Sequence, residues 1–153
     1  MANSAPAFIA TIREVQPQPY LAMRVRAAMD KVGPAVQAGY SSLYERLATT
    51  AGTPSGPPFL IADRPTGGFL DMELGAPCTK APESGGGFEA RTLPGGKVAV
   101  TVHRGSYDSL GEVYQRLAEW ITAQGLQIAG PPREVYLTPP GEEPVTEVVW
   151  PVR

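Results

Sequence analysis

Histidine and cysteine are the scarcest chemistry-bearing residues of this chain, with one of each, His103 and Cys78, in 153 residues. A usual zinc site draws several ligands from those two residue types, so no metal site is expected. A lone cysteine excludes an internal disulfide. Cys78 lies in the loop-like run GAPCTKAPESGGG and reads as a bystander thiol. Charge is also sparse, at 18% of residues with a net of −2, and the Lys and Arg are scattered. The basic footprint of a nucleic-acid binder is therefore missing. No apolar run approaches the ~20 residues that span a bilayer. The N-terminal MANSAPAFIATIREV has no basic stretch followed by an apolar one, as a secretion signal would. These absences lead to expectations of a cytoplasmic location, no membrane association and no direct DNA contact. Gly67-Gly68 and Gly85-Gly86-Gly87 do not match a phosphate-binding loop and read as turns, so no cofactor is expected. Ser106 and Ser109 lack the strand-to-helix context of a nucleophile elbow.

What is plentiful is glycine and proline, 17 of each, which implies short elements joined by many turns. The chain also repeats itself. One constant shift that lays Gly56-Pro57-Pro58 on Gly130-Pro131-Pro132 also lays Tyr40 on Tyr114, Leu43 on Leu117 and Glu73 on Glu147. The expectation is two copies, about 8–80 and 88–153, in one domain spanning 1–153, with a gapless match of Arg26–Pro77 onto Val100–Pro151.

In the second copy Lys97–His103 alternates as a strand. Tyr107, Leu110, Tyr114, Leu117 and Ile121 then fall on one face of a helix. Ser106 or Asp108 caps its start and Gly125 its end. Arg133–Leu137 and Thr146–Val152 follow as strands. The first copy supplies Leu21–Ala28, a helix through Val36, Tyr40, Leu43 and Leu47, then Pro58–Ala62 and Leu70–Leu74. Phe8–Val15 and Phe88–Leu93 precede the copies as extra strands. Short connections favour antiparallel pairing. The expected fold class is α+β: a duplicated strand–helix–strand–strand unit, giving one curved antiparallel sheet of about eight strands with two helices on one face.

Under this reading the aliphatic set Val98, Val100, Val102, Val135 and Leu137 meets the helices. Glu134 and Tyr136 then share the free face. They are joined there either by Glu147 and Val149 or by Val148 and Trp150. A carboxylate among aromatic rings suits a lipophilic cation, because ring faces attract cations. An ordinary solvated face, or pairing of the carboxylate with Arg24 or Arg26, is the alternative.

The ordered series Leu93-Pro94-Gly95-Gly96-Lys97-Val98-Ala99, His103-Arg104-Gly105-Ser106-Tyr107, Trp120-Ile121, Gly130-Pro131-Pro132, Arg133-Glu134-Val135-Tyr136 and Glu147-Val148-Val149-Trp150-Pro151-Val152 resembles the GyrI-like family. The likeness is stronger over 88–153 than over 8–80. That family includes effector-binding domains of bacterial multidrug-responsive transcription activators. The resemblance implies the duplicated fold and a ligand cleft between the halves. It also implies a pocket acid, Glu134 or Glu147, with Glu134 favoured. Tyr136, Val149, Trp150 and Tyr40 complete the candidate ligand-binding set. The match of Tyr40 to Tyr114 suggests a core role as the alternative for Tyr40, and Tyr107 reads as packing at the helix start. The chain begins close to its first strand, so a stand-alone version without a DNA-binding region is expected. Three functions follow. The first is sensing or sequestration of a hydrophobic small molecule. The second is hydrolysis of cyclopropane-type toxins, with Glu134 as acid–base group. The third is a protein-interaction role, such as gyrase modulation.

Overall fold

The computed structural model describes residues 8–50, 52–80, 82–139 and 141–153. Pro140, in the loop expected between the last two strands, lies outside them. The elements run β1 (Ala10–Val15), β2 (Gln18–Ala28), α1 (Val32–Ala48), β3 (Phe59–Ala62), β4 (Phe69–Pro77), β5 (Phe88–Leu93), β6 (Gly96–Arg104), α2 (Leu110–Ala123), β7 (Arg133–Tyr136) and β8 (Val145–Pro151). A short 3-10 turn leads into each helix, Met29–Lys31 and Tyr107–Ser109. The fold is α+β, a duplicated unit with eight antiparallel strands and two helices.

Strand order is β1-β6-β8-β7-β3-β4-β2-β5, a palindrome about the β7–β3 seam in which each edge strand joins the other copy's half. Val15 faces Gly96 and Gln18 faces Leu93, so one antiparallel register continues across the bends at Gln16-Pro17 and Pro94-Gly95. β1 with β2, and β5 with β6, thus act as two long bent strands. They curl the sheet into a half-barrel whose inner face becomes a second apolar layer.

The helices cover the outer face. Leu43 and Leu47 of α1 are fully buried, and Leu43 packs with Leu21, Leu60, Met72 and Leu74. Leu110, Leu117 and Ile121 of α2 pack on Ala99, Val148 and Val152. Truncating any such leucine to alanine costs about 2–5 kcal/mol. The α2 exit is a Schellman turn. Gly125 takes φ 75°, its N–H bonds Thr122 O, and Leu126 N–H returns to Ile121 O. Ser106 accepts from the Asp108 N–H at the entry.

Two expectations need correction. Val98, Val100 and Val135 do not meet the helices; with Val149 they line the inside of the curl, and Val102 and Leu137 are exposed. Alternation finds the two faces of a strand but not which one a helix covers, and in a curled sheet both are apolar. The match of the copies is also not gapless. Phe59 pairs with Gly75 as Arg133 pairs with Val149, in keeping with the constant shift. Glu73 pairs with Arg24, so the same shift would pair Glu147 with Val98; Glu147 pairs instead with Val102. The first copy therefore carries an insertion between β2 and the middle of α1. Its length is about one helical turn, so the buried face of α1 stays in phase.

Candidate functional site

β3 and β7 join through two residue pairs, Phe59 with Val135 and Leu60 with Glu134. Alternation sends Leu60, Glu134 and Tyr136 to the helix side, and Phe59, Arg133 and Val135 into the curl. Leu60 and Glu134 hold the same place in the two copies and face each other. The one carboxylate here therefore sits on the pseudo-two-fold axis between the two helices.

Glu134 accepts hydrogen bonds from the Tyr114 hydroxyl at 2.7 Å and the Tyr136 hydroxyl at 3.0 Å. The Tyr136 ring meets Tyr40 edge-on at 6.1 Å and Tyr107 at 5.9 Å. Tyr40 donates its hydroxyl to the carbonyl of Phe59. Trp150 lies edge-on to Tyr114 at 6.0 Å, and its indole N–H donates to Gly130 O at 3.1 Å. These rings are half-buried except Tyr107, which is 52% exposed. Among the described residues no Lys or Arg pairs with Glu134. Burial, then the Glu134 charge, pushes the Tyr114 and Tyr136 hydroxyls far above the usual tyrosine range. Burial does the same to Tyr40, aided by Tyr44 and Glu134. All three remain neutral donors at any physiological pH. The site offers one carboxylate, aromatic edges and faces, and no fixed cation among the described residues.

The inner face carries a different constellation. Glu147 accepts from Arg13 at 3.2 Å. Its repeat partner Glu73 is buried, accepting from the Tyr20 hydroxyl at 2.5 Å and Arg91 at 3.0 Å. A cleft of about 410 Å³ opens beside Glu147, lined in part by Pro17, Phe59, Leu93, Arg133 and Val135.

The structure thus divides the expected site residues. Tyr40, Glu134, Tyr136 and Trp150 come together on the helix side. Glu147 and Val149 lie on the opposite face. The sequence pattern points Glu134 and Tyr136 away from the helices; they lie beneath them, because the β3–β7 register sets them beside Leu60. Arg24 and Arg26 pair with Asp63 and Asp71, not with a pocket acid. Tyr114 and Tyr107 do more than pack: one bonds Glu134 and the other meets Tyr136. The signal for Tyr114 is its repeat relation to Tyr40 across the copy boundary.

A family model for the GyrI-like small molecule binding domain matches residues 10–153. Among solved structures, the EcmrR C-terminal domain is 20% identical over 95% of this chain and 98% of that one, with a TM-score of 0.74. The EcmrR chain in a DNA complex is 19% identical over 95% of this chain, with a TM-score of 0.81, and this chain spans 57% of its length. A hydrolase from Listeria innocua is similar at 14% identity, covering 97% of this chain and 94% of that one, TM-score 0.66. SAV2435, solved bound to tetraphenylphosphonium, is similar at 11% identity over 95% and 94% of the two chains, TM-score 0.58. At such identities the likeness is one of fold. A search of curated protein sequences found no match. With the family model covering nearly every described residue, the chain belongs to the GyrI-like small molecule binding domain family.

Proposed function

We propose that this protein binds lipophilic small molecules, cations above all, on the helix side of the β3–β7 seam, for sensing or sequestration. The observation that carries the reading is Glu134: a carboxylate bonded by two phenols, with no cationic partner among the described residues. A ligand cation supplies the missing charge while Tyr40, Tyr107, Tyr136 and Trp150 supply ring surface. Because Glu134 is only half-buried, water reaches the site and the attraction is moderate. A relative solved with tetraphenylphosphonium makes that cation a reasonable first probe.

Calorimetric titration of tetraphenylphosphonium and of neutral triphenylphosphine oxide tests the reading. The expected result is saturable micromolar binding of the cation and weaker binding of the oxide. Equal affinities would remove the charge argument. Turnover of a cyclopropane-bearing compound would instead favour the hydrolase reading, with Glu134 as acid–base group. Failure of every ligand, with a protein co-purifying, would favour an interaction role.

A further inference from the structure

The two halves carry the same inner-face framework but fill it differently. Phe59, Tyr20 and Glu73 occupy one half; Arg133, Val98 and Glu147 occupy the matching places in the other. The pairing register fixes this match, since Tyr20 faces Pro77 as Val98 faces Pro151. In the first half all three residues are at most 6% exposed. The Phe59 ring lies over Gly75, against Tyr20 at 4.9 Å, and the Tyr20 hydroxyl seals Glu73. In the second half Val149 stands where Gly75 leaves room, so no ring lies flat there. Val98 is 3% exposed and packs with Val100 and Val149. The cleft opens across the seam, with Ser55, Pro57, Phe59 and Pro77 of the first half on one side and Arg133, Val135 and Glu147 of the second on the other.

Arg133 and Glu147 are the charged residues of the cleft lining. Glu147 is already matched by Arg13, as Glu73 is by Arg91. Arg133 is a further guanidinium, half-buried, with no ion pair to any described carboxylate. Desolvation lowers its basicity and the Glu147 field opposes this, without removing its charge. A guanidinium presents a planar fork of donors that fits a carboxylate in two-point contact. Phe59, Leu93 and Val135 provide apolar wall beside it.

We infer that this inner cleft is a second ligand site, taking a small apolar carboxylate whose anionic group meets Arg133 and whose body lies against Phe59, Leu93 and Val135. It is separate from Glu134, which lies across the sheet. The two sites select opposite charges.

The test uses benzoate, benzamide and benzylamine, titrated into the full chain and followed by backbone amide NMR. The expected result is saturable shifts for benzoate at Phe59, Leu93 and Val135, at least about tenfold weaker for benzamide and absent for benzylamine. Arg133→Gln weakens benzoate about tenfold or more, while Arg133→Lys retains part of the affinity. Saturating tetraphenylphosphonium leaves benzoate binding in place, which separates this site from the proposed cation site. No saturable benzoate shift overturns the inference. So do equal affinities for benzoate and benzamide, shifts confined to Tyr114 and Tyr136, or unchanged binding by a folded Arg133→Gln variant.

Discussion

Gly75→Ala should destabilise the protein through one named collision. A Cβ built at Gly75 falls under 3.0 Å from three atoms of the Phe59 ring. Real Cβ contacts do not come that close, so the ring must move. Phe59 is 2% exposed and packed edge-on against Tyr20, so moving the ring breaks that contact. Overpacking of this kind costs about 1–3 kcal/mol. For a chain of this size that lowers the melting temperature by roughly 2–4 °C per kcal/mol. Urea denaturation of wild type, Gly75→Ala, Phe59→Leu and the double variant measures it. The alanine should cost less in the Phe59→Leu background, since the leucine lacks the ring atoms it strikes. Gly39→Ala is the internal contrast. Its Cβ would strike Leu74 Cδ1, the movable end of a side chain. Replacing a mid-helix glycine returns about 1 kcal/mol of helix propensity, so the net loss is smaller than at Gly75. A Gly75→Ala cost below about 0.5 kcal/mol, or the same cost in both backgrounds, would rule the collision out.

Further outcomes follow from burial. Of the six tyrosines, five (Tyr20, Tyr40, Tyr44, Tyr114 and Tyr136) have hydroxyls pushed up by desolvation first. Phenolate absorbance of the folded protein near pH ~10 should therefore fall well short of that of the unfolded chain. Folded values above the unfolded one mean that these groups' stabilisation is complete below about pH 10 and is lost as pH rises beyond it. A stability flat through pH ~11 would contradict this. Cys78 is fully buried and its thiol is pushed up by burial, so alkylating reagents should label it only on unfolding. Rapid labelling of the native protein would mean that the Cys78 segment opens on its own.

The strands and helices are readable because each carries a clean period: Val98, Val100 and Val102 alternate, and Leu110, Leu117 and Ile121 recur at helical spacing. Strand β5 is expected at Phe88–Leu93 and lies there. The repeat is readable because β3, β4 and the helix ends keep their spacing. The insertion in the first half of α1 escapes notice because it is about one helical turn and leaves the Leu43 and Leu47 matches intact. Which face meets the helices is not readable. That depends on the curl imposed by the Pro17 and Pro94 bends, which gives the inner face its own core. For the same reason Glu134 and Glu147 look like neighbours around one pocket. One residue of parity on paired strands puts them on opposite faces. Tyr114 looks like core because its ring is; only the hydroxyl reaches Glu134.

The helix-side site stands or falls on the Glu134 carboxylate as the source of its preference for cations. The deciding quantity is the ratio of affinities for tetraphenylphosphonium and triphenylphosphine oxide in wild type and Glu134→Gln. The glutamine keeps shape and hydrogen bonding while removing the charge. The ratio should collapse, with cation affinity falling about tenfold or about 1.4 kcal/mol while affinity for the oxide changes little. A folded Glu134→Gln variant that keeps the wild-type ratio would show that the charge of Glu134 does not set the preference.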